Sequence, residues 1–125
     1  MLFEIRSAKS LEEIDRRLRE AAARHEFGVL AVHDVKEILR HKGVDYTGEC
    51  VIYEVCNPHL AKDVLETNPS VSTALPCRIS VYRDGAGYQL STLLPTAMMP
   101  MFGPGLDTAA REAEAAITAM MTESA

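Results

Sequence analysis

The sequence predicts an α+β domain of five strands and four helical segments, and three observations carry this prediction. Residues 50–56 are rich in β-branched and aromatic side chains, which indicates a strand, and they run into Asn57-Pro58, which indicates a helix start. Residues 84–87 read D-G-A-G between two further strand-like runs, which predicts a hairpin. Ser10 with Glu13 has the spacing of a capping box ahead of an apolar helical stripe.

The N-terminal half is predicted to alternate strands with helices. Residues 2–6 alternate apolar with polar side chains, as a strand does, and a helix follows over residues 10–22. Residues 27–33 predict a second strand. Asp34 then caps a short helix that ends at Lys42-Gly43, and we expect it to direct an apolar stripe inward, formed by Val35, Ile38 and Leu39.

The C-terminal half begins with the central strand, residues 50–56. Its alternation predicts Val51, Tyr53 and Val55 on the core face. A helix is expected from Pro58 to about residue 66, followed by strands at 78–83 and 88–94. Residues 95–105 hold three prolines and two glycines, so we expect no regular structure there, and a last helix is predicted over about 107–122.

Length and composition indicate one domain spanning residues 1–125, with a net charge of −5 and a pI near 5.3. The 13 basic residues are scattered, which argues against nucleic acid, and an acidic membrane surface would repel the chain. No apolar run reaches the roughly 18 residues of a membrane helix, and no signal-peptide pattern opens the chain. The cytoplasm is the expected location, where an odd count of three cysteines indicates free thiols or ligands.

Cys56 and His59 form a C-x-x-H pair at a helix start, which is half of a zinc or copper site. Cys50 lies roughly 20 Å from Cys56 along the same strand, too far to share the metal. Cys77 completes the candidate set if its strand runs antiparallel to the central one, whereas a parallel crossover would separate the two thiols. An alternative is a redox-responsive protein centred on Cys56, in which the helix N-terminus would lower the pKa of the Cys56 thiol.

Four segments carry a resemblance: F-G-V-L at 27–30, E-V-C-N-P at 54–58, L-P-C-R-I at 75–79 and P-T-A-M-M at 95–99. Together they resemble the bacterial and archaeal domain of unknown function family 302 over nearly the whole chain. The resemblance implies a compact α+β fold, with helices packed on a largely antiparallel sheet, in a homodimer. With the elements predicted above, we expect a two-layer sandwich in which four helical segments cover one face of a mainly antiparallel five-stranded sheet and leave the other face for a partner or ligand. Haem b at the dimer interface is one use associated with the family.

A haem would need an axial ligand, and His33 at a strand end and His59 at a helix start are better placed than His25 or His41. No C-x-x-C-H is present for covalent attachment. The loop carrying Met98, Met99, Met101 and Phe102 could form a copper(I) site, a flexible pocket wall or a dimer contact. We favour the wall or the contact, because apolar side chains on a proline-rich loop usually cover a core edge or meet a partner.

No catalytic residue is predicted. The chain lacks a nucleophile elbow, an H-E-x-x-H, a P-loop and a kinase signature, and Glu49 and Glu54 would lie about 16 Å apart along a strand. We therefore predict a non-enzymatic domain that binds a small ligand or cofactor, with haem as a candidate. The alternatives are the metal- or redox-responsive thiol protein and a structural dimer with no ligand.

Overall fold

The computed structural model describes residues 1–125 and contains one five-stranded sheet. Its strands are β1 (Leu2–Ser7), β2 (Gly28–Asp34), β3 (Cys50–Cys56), β4 (Cys77–Asp84) and β5 (Gly87–Leu93). They lie in the order β1-β5-β4-β3-β2, and every neighbouring pair is antiparallel. The α+β fold with an antiparallel five-stranded sheet is therefore confirmed.

Five α-helices connect or follow the strands: α1 (Leu11–Arg24), α2 (Val35–His41), α3 (Pro58–Thr67), α4 (Pro95–Met98) and α5 (Asp107–Ser124). Two 3₁₀ turns, Pro69–Ala74 and Met99–Phe102, follow α3 and α4. The prediction of no regular structure over residues 95–105 was wrong. Proline is tolerated in the first turn of a helix, and here Pro95 opens α4 while Pro100 lies early in the second 3₁₀ turn. None of the helices has the length and apolar character that crossing a membrane requires.

Helix starts follow the predicted caps. The Ser10 hydroxyl accepts a hydrogen bond from the Glu13 amide at 3.2 Å. The Asn57 side chain accepts from the amides of His59 at 2.9 Å and Leu60 at 3.2 Å. Each cap satisfies amides that the helix itself leaves unpaired and stabilises its helix by about 1 kcal/mol.

The main core lies between one face of the sheet and helices α1 and α5. The predicted core face of β3 is confirmed, since Val51, Tyr53 and Val55 are all buried. The Tyr53 hydroxyl reaches past the apolar side chains and donates to Asp15 of α1 at 2.6 Å. The fully buried partners from the other elements are Ile14, Leu18, Ala21, Ile79, Val81, Leu90, Ile117, Met120 and Met121.

Helix α2 differs from its prediction. Val35 and Leu39 are only half-buried, Ile38 is 40% exposed, and no residue of α2 is buried. Its apolar stripe therefore does not join the core, and the expectation that four helical segments bury side chains against the sheet was wrong for this one. A second, smaller cluster of buried apolar residues joins α3, the two 3₁₀ turns and the start of α5. It consists of Val64, Val71, Met99, Leu106 and Ala110.

The opposite side of the sheet, called here the open face, carries mostly polar side chains. Strand alternation places Glu54 and Ile52 of β3 there, opposite Arg78 and Ser80 of β4. Beyond them, Ser80 pairs with Ser91 of β5, and the outer strand β1 contributes Leu2, Glu4 and Arg6. An antiparallel sheet commonly packs one face on a core and presents the other outward.

Candidate functional site

A cleft of about 460 Å³ lies at one end of the open face, and a second concavity of the same volume lies away from the sheet beside Pro100 and Leu106. The floor of the cleft comes from β1, β3, β4 and β5, and its wall comes from the two 3₁₀ turns and the residues beside them. A volume of this size lies within the range of small-molecule sites. The lining residues are Leu2, Ile52, Thr73, Ala74, Pro76, Cys77, Arg78, Ser80, Ser91, Thr92, Leu93, Met98, Met101 and Phe102.

The polar centre of the open face is organised by Glu4. Its carboxylate accepts hydrogen bonds from the hydroxyls of Ser91 at 3.0 Å and Tyr82 at 3.1 Å. These donors hold the pKa of Glu4 below its usual range, with Ser91 the larger influence. Ser91 is therefore already committed to a partner within the chain, although it lines the cleft.

Arg78 lines the cleft, and its side chain is 56% exposed. It forms an ion pair with Glu54, in which the Nε to Oε1 distance of 3.7 Å exceeds that of a hydrogen bond. The other carboxylate oxygen of Glu54 lies 3.5 Å from Nε2 of His33. Glu54 is therefore shared between Arg78 and His33.

The wall of the cleft contains three of the four predicted apolar residues. Met98, Met101 and Phe102 line it, and Met101 is 73% exposed. Met99 does not line the cleft, because it is 4% exposed and packs with Val64 and Leu106 in the second cluster. Met98 and Phe102 pack partly against that cluster as well as lining the cleft.

Cys56 and Cys77 meet at the same end of the sheet, which resolves the alternative that the sequence left open. Strands β3 and β4 are antiparallel, and Cys77 pairs in register with Val55. Both thiols border a narrow apolar crevice of about 30 Å³ beside Phe27 and Leu60, where there is room for about one water molecule.

The thiols are not activated. Burial, helped by the nearby Cys56, raises the pKa of Cys77 to about 11, and burial also raises the pKa of Cys56. The expected lowering at the N-terminus of α3 was therefore wrong. Asn57 already accepts hydrogen bonds from the amides of His59 and Leu60, so these donors are not free to stabilise a thiolate.

The predicted metal ligands and histidines do not converge within the chain. No group of three or more His, Cys, Asp or Glu side chains is arranged to hold a metal, so Cys56, His59 and Cys77 do not assemble a site. His59 is exposed at the start of α3, and His33 lies beside Glu54 on the open face; neither lines the cleft. The cleft thus offers a haem no histidine of its own chain and does not fit a histidine-ligated haem.

Sequence reasoning missed several cleft residues. Arg78 and Ser80 alternate with the buried Ile79 and Val81, so the strand pattern alone could have placed them on the open face. Leu2 and Leu93 could not be found in this way. They line one cleft because β1 pairs with β5, and that pairing joins opposite ends of the chain.

Fold and site together define a two-layer α+β domain with a cleft on the open face of its sheet. The chain belongs to the family described as Domain of unknown function DUF302, whose match covers residues 3–124. It is similar to an uncharacterized conserved DUF302 protein of Bacillus stearothermophilus, with 31% sequence identity, 99% of this chain and 98% of that chain covered, and a TM-score of 0.93. The comparison with curated proteins gives no match.

Proposed function

We propose that this domain binds a small, largely apolar molecule in the cleft and works by binding rather than by catalysis. The observation that carries the proposal is the exposure of large apolar side chains around one concavity. Leu2 is 54% exposed, Leu93 49% and Met101 73%. Each square ångström of apolar surface that a ligand covers contributes about 25 cal/mol, so an occupied cleft is favoured over a hydrated one.

The polar groups of the cleft support the same function. Small-molecule sites are typically apolar with a few polar groups that orient the ligand. Arg78 and the hydroxyl of Ser80 have this role here, since the only hydrogen-bond contact of the Ser80 hydroxyl within the chain is to Cys50 Sγ at 4.0 Å. Both groups come from β4, a central strand whose position in the sheet is held by neighbours on both sides.

The ionisable groups near the cleft are poorly suited to catalysis. Glu4 has a lowered pKa, which makes its carboxylate a weak general base at neutral pH. Cys77 has a raised pKa and stays a thiol at neutral pH, which makes it a weak nucleophile. The directions of these two pKa shifts favour a binding site over a catalytic one.

The proposal includes a homodimer formed through the open face. Acidic and basic side chains alternate there, with Glu4 and Arg6 two residues apart on β1 and Glu54 opposite Arg78 across β3 and β4. A second copy related by a twofold axis can set acid against base, and it would cover Leu2 and Leu93 and enclose the cleft.

Titration with Nile red, an uncharged apolar dye, tests the binding function. We expect a saturable rise in fluorescence for the wild-type protein and binding at least about fivefold weaker for Met101→Ser, because the variant removes apolar contact area from the wall. Leu65→Ser is the control, since Leu65 lies on α3 and does not line the cleft. Absence of saturable binding, or equal affinity in both variants, would overturn the proposal.

Haem is tested in parallel, because it is the cofactor that the family resemblance suggests. Hemin is added to the wild-type protein, to His33→Ala and to His41→Ala, a control at an exposed position on α2. Binding of an apolar ligand in the cleft predicts no Soret shift that depends on His33. A Soret band that is lost only in His33→Ala would replace the present proposal with haem ligation on the open face.

A further inference from the structure

We propose that the ligand is an amphipathic monocarboxylate, whose carboxylate binds Arg78 while its apolar chain lies along Met98, Met101 and Phe102. This inference rests on the proposed function and specifies the chemical class of its ligand. It follows from the distribution of charge in the cleft. Of the 14 residues that line the cleft, Arg78 alone is charged.

The other arginines of the sheet donate hydrogen bonds to acceptors within the chain, whereas the side chain of Arg78 forms an ion pair with Glu54 and donates none. Arg83 on the same strand donates through Nε to Glu49 at 3.1 Å and through Nη2 to the hydroxyl of Tyr88 at 3.2 Å. Arg6 on β1 donates to the carboxylate of Asp84 at 2.6 Å. Arg78 has only the 3.7 Å approach of its Nε to Glu54, so its terminal nitrogens remain free to donate.

The fork of free donors matches a carboxylate. The two terminal nitrogens of a guanidinium bind the two oxygens of a planar carboxylate in parallel, an arrangement with geometric selectivity. The hydroxyl of Ser80, two residues along the strand, also lines the cleft and adds a donor. No acidic side chain lines the cleft, and the acid beside Arg78 is Glu54, whose Oε1 lies 3.7 Å from Nε rather than from the terminal nitrogens.

The backbone at Arg78 is fixed, which gives the side chain a defined origin. The Thr92 hydroxyl donates to the carbonyl of Arg78 at 2.7 Å, and Arg78 pairs in register with Glu54 of β3. Sites on rigid strands hold their donors more accurately than sites on loops. Opposite this fixed cation, the thioether side chains of Met98 and Met101 can adjust to an alkyl or aryl chain.

The test compares decanoate with decanol by calorimetry and by displacement of Nile red, at pH 8 and below the micelle concentration. The wild-type protein is expected to bind decanoate at least about tenfold more tightly than decanol. Arg78→Gln should lose that preference and keep its affinity for decanol, because it removes a charge-assisted hydrogen bond without changing the apolar wall. Arg83→Gln removes the same charge from the same strand outside the cleft and should keep the preference.

The outcomes separate this inference from the proposed function. Equal affinity for decanoate and decanol, or an unchanged preference in Arg78→Gln, would overturn the carboxylate assignment while Nile red binding still supports an apolar ligand. Failure of Nile red, decanol and decanoate alike to bind the wild-type protein would overturn both. A thermal melt of each variant confirms that the fold is retained before its affinities are compared.

Discussion

Met99 and Met101 are two residues apart and have opposite surroundings. Met99 packs against Val64 and Leu106 with 4% of its surface exposed, whereas Met101 stands at the cleft with 73% exposed. The 3₁₀ turn between Met99 and Phe102 separates the two side chains. One methionine therefore contributes to stability and the other to the site.

We expect Met99→Ala to lower the free energy of unfolding by about 2–5 kcal/mol, the usual cost of truncating a fully buried methionine. Met101→Ala should change it by less than about 0.5 kcal/mol, because its side chain has little buried area to lose. Urea unfolding followed by circular dichroism measures both values. Similar losses in the two variants would contradict the division between core and cleft.

Cys77 gives a second prediction at the scale of one residue. Its pKa is about 11 in the folded chain, compared with an ordinary value of 9.0. The fold therefore favours the thiol, and this contribution to stability is complete below pH 9 and is lost as the pH rises through 11. Because only the thiolate reacts with iodoacetamide, alkylation of native Cys77 should reach its half-maximal rate near pH 11, but near pH 9 in urea.

Peptide mapping by mass spectrometry reads the labelling of Cys77 separately from that of Cys50 and Cys56. The urea-unfolded chain is the control for the intrinsic reactivity of each thiol. Rapid labelling of native Cys77 at pH 7, at the rate seen in urea, would contradict the raised pKa. Rapid labelling of native Cys56 in the same map would favour the redox-responsive alternative, which is centred on that thiol, over the binding proposal.

At the scale of secondary-structure elements, local sequence patterns were sufficient to predict the core face of β3 and the start of α3 but not the burial of α2. The period of two in β3 identified the buried face of Val51, Tyr53 and Val55, and Asn57 identified the start of α3, because both signals lie within a few residues. The apolar spacing of α2 predicted burial that does not occur, since spacing states which side chains share a helix face and not what that face meets.

The site was harder to predict because it depends on pairing between strands. Whether Cys56 lies near Cys77 depends on strand direction, and the connection between β3 and β4 allowed either one. The cleft needs β1 beside β5, which is a long-range pairing. Met98, Met101 and Phe102 of the predicted apolar loop line the cleft and Met99 does not, whereas Arg78 was missed because no sequence signal shows which hydrogen bonds an arginine makes.

The N-cap of α3 provides a prediction for one element. Asn57→Ala should lower the free energy of unfolding by about 1 kcal/mol, because the amides of His59 and Leu60 lose their acceptor. Asn57→Asp is the matched control, since a carboxylate also accepts these bonds and interacts favourably with the helix N-terminus. Equal destabilisation by the two substitutions, measured by urea unfolding, would argue against the cap.

For the whole molecule, the two faces of the sheet have different roles. The covered face buries the side chains that stabilise the fold, including Tyr53, Ile79 and Leu90. The open face alternates acidic with basic groups and leaves Leu2 and Leu93, which pair across β1 and β5, about half exposed. Contact with water is unfavourable for these two apolar side chains, and a second copy of the chain or a bound ligand would remove them from water.

The homodimer proposal is tested by native mass spectrometry of the protein purified without a metal-affinity tag, which also reports any bound mass. We expect a dimer, and we expect Leu93→Lys to shift it to monomer, because the substitution would bury a second cation beside Arg78 in the interface. Leu65→Lys places the same charge on α3 and should leave the dimer intact. A monomeric wild-type protein at micromolar concentration, or a Leu93→Lys variant that remains dimeric, would exclude this interface. The cleft would then have to hold its ligand within a single chain, where Leu2, Leu93 and Met101 are the side chains available to cover it.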